Sequence, residues 1–173
     1  MLKVECDATV CWDADQDWQK LSEAAISAAF SVTPYAALAH TQWPVSVSLS
    51  LAANDDIQAL NSRWRGQDKP TNVLSFPMMD TAALGRLAED EVAAGGTWPG
   101  EILLGDVILA HGVCAGEAQE KGISLPQHTA HLIIHGALHL LGYDHIDEAS
   151  GDAMEALEVK ALASLGLSNP YIG

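Results

Sequence analysis

The first indication of the fold is the stretch Val45-Ser46-Val47-Ser48-Leu49-Ser50-Leu51, in which apolar residues alternate strictly with serines. Successive side chains of a β-strand point to opposite faces, so this alternation predicts a strand with one buried face and one polar face. It is the clearest strand pattern in the chain. The segments on either side are interpreted outward from it.

Three further strands are predicted before and after this stretch. Leu2–Trp12 begins with alternating apolar and polar residues, and Asn72–Phe76 is an apolar run that stops at Pro77. Leu103–Ala110 is also rich in apolar residues, but we expect Gly105-Asp106 to interrupt it.

Helices are predicted between the strands from apolar spacing, and their ends from glycine, proline and capping residues. They cover residues 15–32, 54–64 with Asn54 as the cap, 111–121, 126–141 and 148–165. Helices and strands that mix irregularly in this way indicate an α+β fold. Residues 80–100 are rich in Ala, Gly and acidic residues, and we expect a mobile surface segment there.

Length and composition favour one folded domain. The chain has 173 residues, of which 49% are hydrophobic, which is enough for a core of its own. No apolar run is long enough to cross a bilayer, and the N-terminus lacks the apolar core and cleavage site of a signal peptide. Three cysteines without a C-x-x-C pair fit a reducing compartment. We therefore expect a cytoplasmic protein whose residues 1–173 form a single domain.

The charge balance is strongly acidic, with a formal net charge of −15 from 8 basic and 23 acidic residues. This balance disfavours broad, sequence-independent binding to nucleic acid, which needs many Lys and Arg contacts to phosphates. Half of the basic residues, however, lie in one part of the chain: Arg63, Arg65, Lys69 and Arg86. A nucleic-acid partner is compatible with this balance only if another factor, such as a metal ion, helps to bind it.

The most informative stretch is His135-Gly136-Ala137-Leu138-His139-Leu140-Leu141-Gly142-Tyr143-Asp144-His145. Residues four apart lie on the same face of a helix, so His135 and His139 can bind one ion at about 2.0–2.1 Å. His145 would face away if the helix continued, but Gly142 can take the left-handed conformation that ends a helix and turns the chain back. The spacing therefore predicts a metal centre of three imidazoles, with one coordination position left for water as in catalytic sites.

Three neighbouring residues are interpreted as accessory. His131 shares the helical face of His135, and we expect it to support the ligands or to pack in the core rather than to act as a fourth ligand. His128 is interpreted as a surface residue of the first turn. Asp144 either orients an imidazole or accepts a hydrogen bond from a backbone N–H in the turn.

Position 136 argues against the protease that this histidine spacing suggests. Zinc proteases with the same spacing have a glutamate directly after the first histidine, where it acts as general base. This chain has Gly136 there. The pattern therefore predicts a metal-dependent hydrolase, with zinc favoured because it suits tetrahedral all-imidazole sites, but it does not support peptide hydrolysis.

The second unusual stretch is Arg65-Gly66-Gln67-Asp68-Lys69-Pro70-Thr71-Asn72-Val73-Leu74-Ser75-Phe76-Pro77. Arg65 falls at a predicted helix end, beside a glycine turn. Its planar guanidinium matches the oxygens of a phosphate. From the residues alone, however, a solvated or salt-bridged arginine is the more common outcome.

Three blocks of the sequence resemble the YbeY family of bacterial endoribonucleases and rRNA maturation factors. They are residues 65–77, Leu104-Gly105-Asp106-Val107, and His131–His145. Together they span roughly the central half of the chain, in the family's order and spacing, and the last block is highly specific. The N-terminal region and residues 80–100 show little of the resemblance.

The resemblance implies a single-strand-specific, metal-dependent endoribonuclease that matures ribosomal RNA, notably the small-subunit 3′ end, and takes part in ribosome quality control. It places one Zn²⁺ on His135, His139 and His145, and adds Arg65 to these as the catalytic set. It implies an α+β fold with a mixed sheet of about four strands, about five helices around it, and the metal site in a zincin-like cleft beside the sheet. The expected partners are single-stranded rRNA and the ribosome or small-subunit assembly factors, without a membrane partner or a DNA substrate.

Two alternative functions are compatible with the residues. A metalloprotease-like hydrolase has the histidine spacing in its favour and Gly136 against it. A non-catalytic ribosome assembly factor would use the metal only to stabilise its fold. The sequence also leaves open the metal bound in the cell, the RNA cut site, the oligomeric state, and whether water or the 2′-OH of the RNA attacks.

Overall fold

The computed structural model describes residues 1–88 and 100–172. The strands, in chain order, are β1 (Leu2–Ala8), β2 (Val45–Ala52), β3 (Val73–Pro77) and β4 (Ile102–Ala110). The helices are α1 (Trp18–Ser31), α2 (Asn54–Arg65), α3 (Thr81–Arg86), α4 (His111–Lys121), α5 (Leu125–Leu140) and α6 (Glu148–Ser164), with a short 3₁₀-helix at Ala36–His40. This arrangement confirms the predicted α+β class.

The four strands form one mixed sheet in the order β1-β2-β4-β3. β1 and β4 both run parallel to β2, whereas β3 runs antiparallel to β4. Within β2, Val45, Val47, Leu49 and Leu51 are buried, which confirms the one-sided burial predicted from their alternation with serines. Within residues 1–88 and 100–172, β3 has β4 as its only strand neighbour, and its other edge is open there.

β4 does not stop at Gly105-Asp106, so the predicted interruption was wrong. The register with β2 shifts there instead, because Ser46 pairs with Leu103 and Val47 with Gly105, which leaves an extra residue between them as a β-bulge. Gly105 has a φ of 142°, and a Cβ built on it would lie 2.3 Å from the carbonyl oxygen of Phe76. The glycine therefore allows β3 to approach closely rather than ending the strand.

α5 is the central helix, and most of its residues are buried. It packs against α1, α4 and α6 and against strands β3 and β4. Ile133 and Ile134 are fully buried in the main core together with Ile26 of α1 and Leu109 of β4. This packing fixes the C-terminal half of α5, which bears His135 and His139, beside the open edge of the sheet.

Two local predictions differ from the structure. Asn54 is the first residue of α2 rather than its cap, and its Oδ1 accepts a hydrogen bond from the backbone N–H of Val113 in α4. The segment predicted as a mobile surface excursion starts with α3 and includes the buried residues Leu84 and Leu87, because the apolar side of this turn packs into the core. Residues 89–99 of that segment lie outside the described residues.

Among the described residues, no helix is both long enough and apolar enough to cross a membrane.

Candidate metal centre

The structure brings the three predicted histidines together. His135 and His139 project from one face of α5, and His145 lies in the loop between α5 and α6. One ring nitrogen from each of the three lies within 4.8 Å of those of the other two. The ring centroids are 4.6 Å apart for His135 and His139, and 5.6 Å and 5.2 Å from His145 respectively. Three imidazoles thus face a common centre.

Gly142 makes the turn that returns His145 to this centre. α5 ends at Leu140, and Gly142 has a φ of 92°, the left-handed conformation predicted from the sequence. The turn is closed by a 3.0 Å hydrogen bond from the Tyr143 N–H to the Leu138 carbonyl. A Cβ on Gly142 would also lie 2.4 Å from Cγ2 of Thr81 in α3, so both backbone conformation and space require glycine here.

Hydrogen bonds place a proton on Nδ1 of each of the two helical imidazoles. His135 Nδ1 lies 2.6 Å from Glu158 Oε1, and His139 Nδ1 lies 2.8 Å from the Tyr143 carbonyl oxygen. A carboxylate and a carbonyl only accept, so each Nδ1 bears a proton and donates it. Burial and the nearby His135 lower the pKa of His139, which favours the neutral ring that a metal requires.

The two Nε2 atoms face each other at 3.0 Å. Where both rings are neutral and carry their proton on Nδ1, neither Nε2 has a hydrogen to donate, so both present lone pairs. A cation between the rings would satisfy both lone pairs. The donor set fits a divalent ion that prefers imidazole, with the third ring, His145, approaching from the exposed side; its side chain is 57% exposed.

Sequence reasoning missed Glu158, whose carboxylate accepts the hydrogen bond from His135 Nδ1. It comes from α6, and its carboxylate also accepts a hydrogen bond from the Tyr171 hydroxyl. Burial alone would raise the pKa of Glu158, but the donor groups of His131, His135 and Tyr171 around its carboxylate lower the pKa to about 2. The available signal was an acidic residue within an apolar stripe, since Glu158 falls at helical spacing between Met154 and Ala161.

Of the two accessory histidines, His131 was interpreted correctly and His128 was not. His131 is buried outside the cluster, with Nε2 3.2 Å from the Tyr171 hydroxyl, as expected for a supporting or core residue. His128 is not at the surface, because α4 packs against this turn of α5 and Glu117 lies 2.7 Å from its Nε2. Asp144 accepts from the backbone N–H of His145 at 2.8 Å, which favours its role in the turn.

Arg65 lies on the same cavity as the candidate ligands. It is the last residue of α2, followed by Gly66 with a φ of 67°. The cavity of about 260 Å³ is lined by His135, Gly136, His139 and His145, by Asn61, Arg65 and Gln67, and by residues 71–75. Arg65 is exposed and, within residues 1–88 and 100–172, forms no ion pair. Its guanidinium is thus available to a ligand in the cavity.

The open edge of β3 forms one wall of this cavity. The Asn72 carbonyl accepts from Ala110 N–H at 3.0 Å, and Met78 N–H donates to the Leu104 carbonyl at 2.9 Å. Hydrogen-bonded pairs alternate along an antiparallel ladder, so the N–H of Ser75, midway between these pairs, points away from β4. The wall therefore offers a neutral backbone donor near the histidines.

Fold and site together define a class of protein: an α+β protein with three imidazoles that could hold a metal ion in an open cleft beside a mixed sheet. The sequence model of the family described as Endoribonuclease YbeY matches residues 10–166 of this chain. The chain therefore belongs to the YbeY family, which confirms the resemblance seen in the three sequence blocks.

Curated relatives support the same assignment over almost the whole chain. An Endoribonuclease YbeY of Sphingopyxis alaskensis is 52% identical over 171 residues, covering 99% of this chain and 98% of the relative. One from Rhizorhabdus wittichii is 46% identical, covering 99% and 97%. The solution structure of TM1509 from Thermotoga maritima aligns with a TM-score of 0.52 at 21% identity, over 96% of this chain and 92% of the other, and shows the shared fold.

Proposed function

We propose that this chain is a metal-dependent endoribonuclease that cleaves single-stranded RNA in rRNA maturation, notably at the small-subunit 3′ end, and in ribosome quality control. The relatives named Endoribonuclease YbeY support RNA as the substrate. The observation that supports the chemistry most directly is the pair of Nε2 atoms of His135 and His139, which face each other at 3.0 Å in a cavity shared with Arg65.

The proposal extends to the whole chain and its setting. Residues 1–173 act as one domain in the cytoplasm, where ribosomes are assembled. The ribosome or small-subunit assembly factors present the RNA to this acidic protein. Their help compensates for a net charge of −15, which would otherwise repel a polyanion.

We propose one Zn²⁺ per chain, held by His135, His139 and His145. When bound, zinc supplies Lewis acidity that stabilises negative charge on a phosphoryl oxygen. Neutral imidazole ligands leave the full positive charge of the ion in the cleft, which carboxylate ligands would not. The Nδ1 hydrogen bonds of His135 and His139 favour the tautomer in which Nε2 is the nitrogen free to bind the metal, and they orient both rings toward the centre.

Arg65 binds a phosphate of the RNA in this proposal. Its planar fork donates two parallel hydrogen bonds to phosphate oxygens and stabilises charge as it develops in the transition state. The outward N–H of Ser75 is a second, neutral donor at the same cavity. Gly136 supplies no general base for the reaction. The attacking group is either water or the RNA's own 2′-OH. A 2′,3′-cyclic phosphate on the product would identify the 2′-OH.

A cleavage assay with metal analysis tests this function. We expect His139→Ala to lose both zinc and cleavage of single-stranded RNA. Arg65→Ala should keep its zinc but cleave about 100-fold more slowly, because a group that stabilises developing charge is removed. Arg63→Ala is the matched control, since Arg63 is a neighbouring exposed arginine that does not line the cavity.

The same assay separates the two alternatives. If folded His139→Ala and Arg65→Ala cleave RNA as fast as the wild type, the metal has a structural role and the protein is an assembly factor. If the wild type instead cleaves casein, and His139→Ala abolishes that cleavage, the metalloprotease alternative is correct.

A further inference from the structure

Glu158 places a carboxyl group in the interior of the protein. Its side chain is 1% exposed, and a buried carboxylate is costly unless its oxygens are hydrogen-bonded. Both oxygens are used: Oε1 accepts from His135 Nδ1 at 2.6 Å, and Oε2 accepts from the Tyr171 hydroxyl. The carboxylate is therefore held in one orientation, with His135 on one side and the C-terminal segment on the other.

Tyr171 connects this carboxylate to His131. A tyrosine hydroxyl has one proton, and ionised Glu158 can only accept, so the Tyr171 proton lies toward Glu158. The hydroxyl oxygen then accepts from His131 Nε2 at 3.2 Å, and the two rings pack edge to face with centroids 5.6 Å apart. His131 and Tyr171 thus form a directed chain of hydrogen bonds that ends on the Glu158 carboxylate, which accepts from His135 with its other oxygen.

His135 differs from the other two candidate ligands in the group that lies against its Nδ1. His139 Nδ1 is held by a neutral backbone carbonyl, and His145 Nδ1 lies 3.9 Å from the exposed carboxylate of Asp144. His135 is backed by a buried charge, which makes its Nε2 a stronger donor to a cation and restricts rotation of its ring.

We propose that Glu158 is the positioning residue of His135, and that Tyr171 of the C-terminal segment completes it. The network fixes the proton on His135 Nδ1 and directs Nε2 to the centre of the cluster. This inference deepens the proposed function, because it rests on the proposed metal centre, but it does not depend on the RNA substrate.

Zinc affinity of the full chain, measured by competition with a chromophoric chelator, tests the proposal. Glu158→Gln keeps the size and an acceptor oxygen but removes the charge, and we expect zinc to bind about 10- to 100-fold more weakly. Tyr171→Phe removes a single hydroxyl and should weaken binding by a smaller factor. Asp152→Asn removes an exposed carboxylate of the same helix that does not line the cavity beside Glu158 and Tyr171, and should leave the affinity unchanged. Unchanged affinity in Glu158→Gln would overturn the proposal.

The imidazole N–H signals of the metal-free protein give a second readout that does not involve activity. In the wild type, we expect a strongly downfield Nδ1–H proton of His135, hydrogen-bonded to the carboxylate. The signal should move upfield in Glu158→Gln, which removes the charge, and should also shift in Tyr171→Phe, which removes the other donor to the same carboxylate. A residue that only stabilised the fold would leave this signal in place, and that result contradicts the proposal.

The outcomes also separate this inference from the proposed function. A wild type that binds no zinc refutes the proposed function, while the ring-proton signal still decides whether Glu158 positions His135. If Glu158→Gln does not fold, Tyr171→Phe takes its place, because its carboxylate is intact. Its zinc affinity and its His135 ring-proton signal are then compared with those of the wild type. Equal affinity and an unshifted signal in Tyr171→Phe would then refute the proposed network.

Discussion

Gly136 lies between the two helical histidines at the point where α5 packs directly on the sheet. A Cβ built on it would lie 2.7 Å from Cγ1 and 3.2 Å from Cγ2 of Val107 in β4. Valine has few alternative rotamers, so this neighbour has little freedom to yield. A glutamate at this position, as in zinc proteases, would have to displace the strand. The packing of α5 on β4 therefore excludes a glutamate base at position 136.

We predict that Gly136→Ala destabilises the protein by about 1–3 kcal/mol through overpacking, even though alanine is the better helix former. Denaturant unfolding of the metal-free protein measures this. Gly116→Ala in α4 is the control, because a Cβ there meets nothing within 4 Å. That variant should be stabilised by up to about 1 kcal/mol. A Gly136→Ala protein as stable as Gly116→Ala would contradict the close packing.

His128 makes stability depend on pH. Its side chain is 2% exposed, and burial lowers the pKa of the ring despite the adjacent Glu117. The unfolded chain takes up a proton near the ordinary pKa of about 6.5, whereas the folded protein does so only at lower pH. The contribution of neutral His128 to stability is therefore complete above pH ~6.5 and is lost as the pH falls below it.

His128→Gln should accordingly lose less unfolding free energy than the wild type between pH ~7 and ~5. The difference is at most about 1.4 kcal/mol per pH unit, the value for one proton. Unfolding curves of the metal-free proteins at several pH values measure it. His40→Gln, a change at an exposed histidine, should leave the wild-type slope intact. Identical slopes for His128→Gln and the wild type would refute the prediction.

At the residue scale, sequence reasoning succeeded where the determining contacts are local. The convergence of His135, His139 and His145 follows from helix geometry and one glycine within eleven residues. Glu158 lies 23 residues beyond His135, and only the packing of α6 brings the two together. His128 was misplaced for the same reason, because its burial depends on Glu117 and α4 rather than on its own helix.

At the element scale, the end of α5 determines whether the cluster is complete. Two candidate ligands lie on the helix, and the third depends on the turn at Gly142. A non-glycine residue in the left-handed conformation costs about 1–2 kcal/mol, and here its Cβ would also collide with Thr81. Any relief of that collision moves the loop that bears His145.

Gly142→Ala should therefore both destabilise the protein and weaken zinc binding. Gly122→Ala is a matched control, since Gly122 ends α4 with a φ of 66° and has nothing within 4 Å of its Cβ position. Gly122→Ala should be destabilised by the same unfavourable backbone conformation but should keep wild-type zinc affinity. Thermal unfolding and chelator competition measure the two effects. Wild-type zinc affinity in Gly142→Ala would show that the turn does not position His145.

The boundaries of helices and strands were predictable where local residues determine them. Examples are β2, from its alternating pattern, and the end of α2, from Gly66. The continuity of β4 was not predictable, because Gly105 has its role only when β3 lies against it. The start of the segment at residue 80 was misjudged because small residues masked two buried leucines, Leu84 and Leu87. Such contacts come from the tertiary structure and not from local pattern.

At the scale of the whole molecule, an acidic protein has to bind a polyanion with few cationic groups. The cavity offers Arg65, the neutral N–H of Ser75 and the proposed zinc site instead of a broad basic surface. Affinity for single-stranded RNA should then depend only weakly on salt, since few counterions are released. Each phosphate contact by a cationic group contributes a slope of about −0.7 in log K against log salt.

We predict a slope no steeper than about −2 for the wild type, and a decrease in its magnitude of about 0.7 in Arg65→Ala. Fluorescence anisotropy with a labelled single-stranded RNA between about 50 and 200 mM salt measures this. Lys160→Ala, a change at an exposed residue of α6, should not alter the slope. A slope of about −4 or steeper would indicate a larger basic surface than the structure shows.

The global arrangement was predictable only in part. Mixed helices and strands indicated an α+β class, and the resemblance implied a sheet of about four strands with the site beside it. The strand order β1-β2-β4-β3 has no signature in local sequence, because it depends on which strands pair over long chain separations. The open edge of β3 at the cavity is a consequence of that order.

The location of Tyr171 has a practical consequence for work on this protein. It lies in the short segment after α6, and its hydroxyl contacts the buried carboxylate behind the cluster. A purification tag or fluorescent protein fused directly after Gly173 is separated from this contact by two residues, and its motion strains the tyrosine's position. An oligohistidine tag there also competes for the ion. Recombinant versions intended for metal titration are therefore better made without an addition at this position.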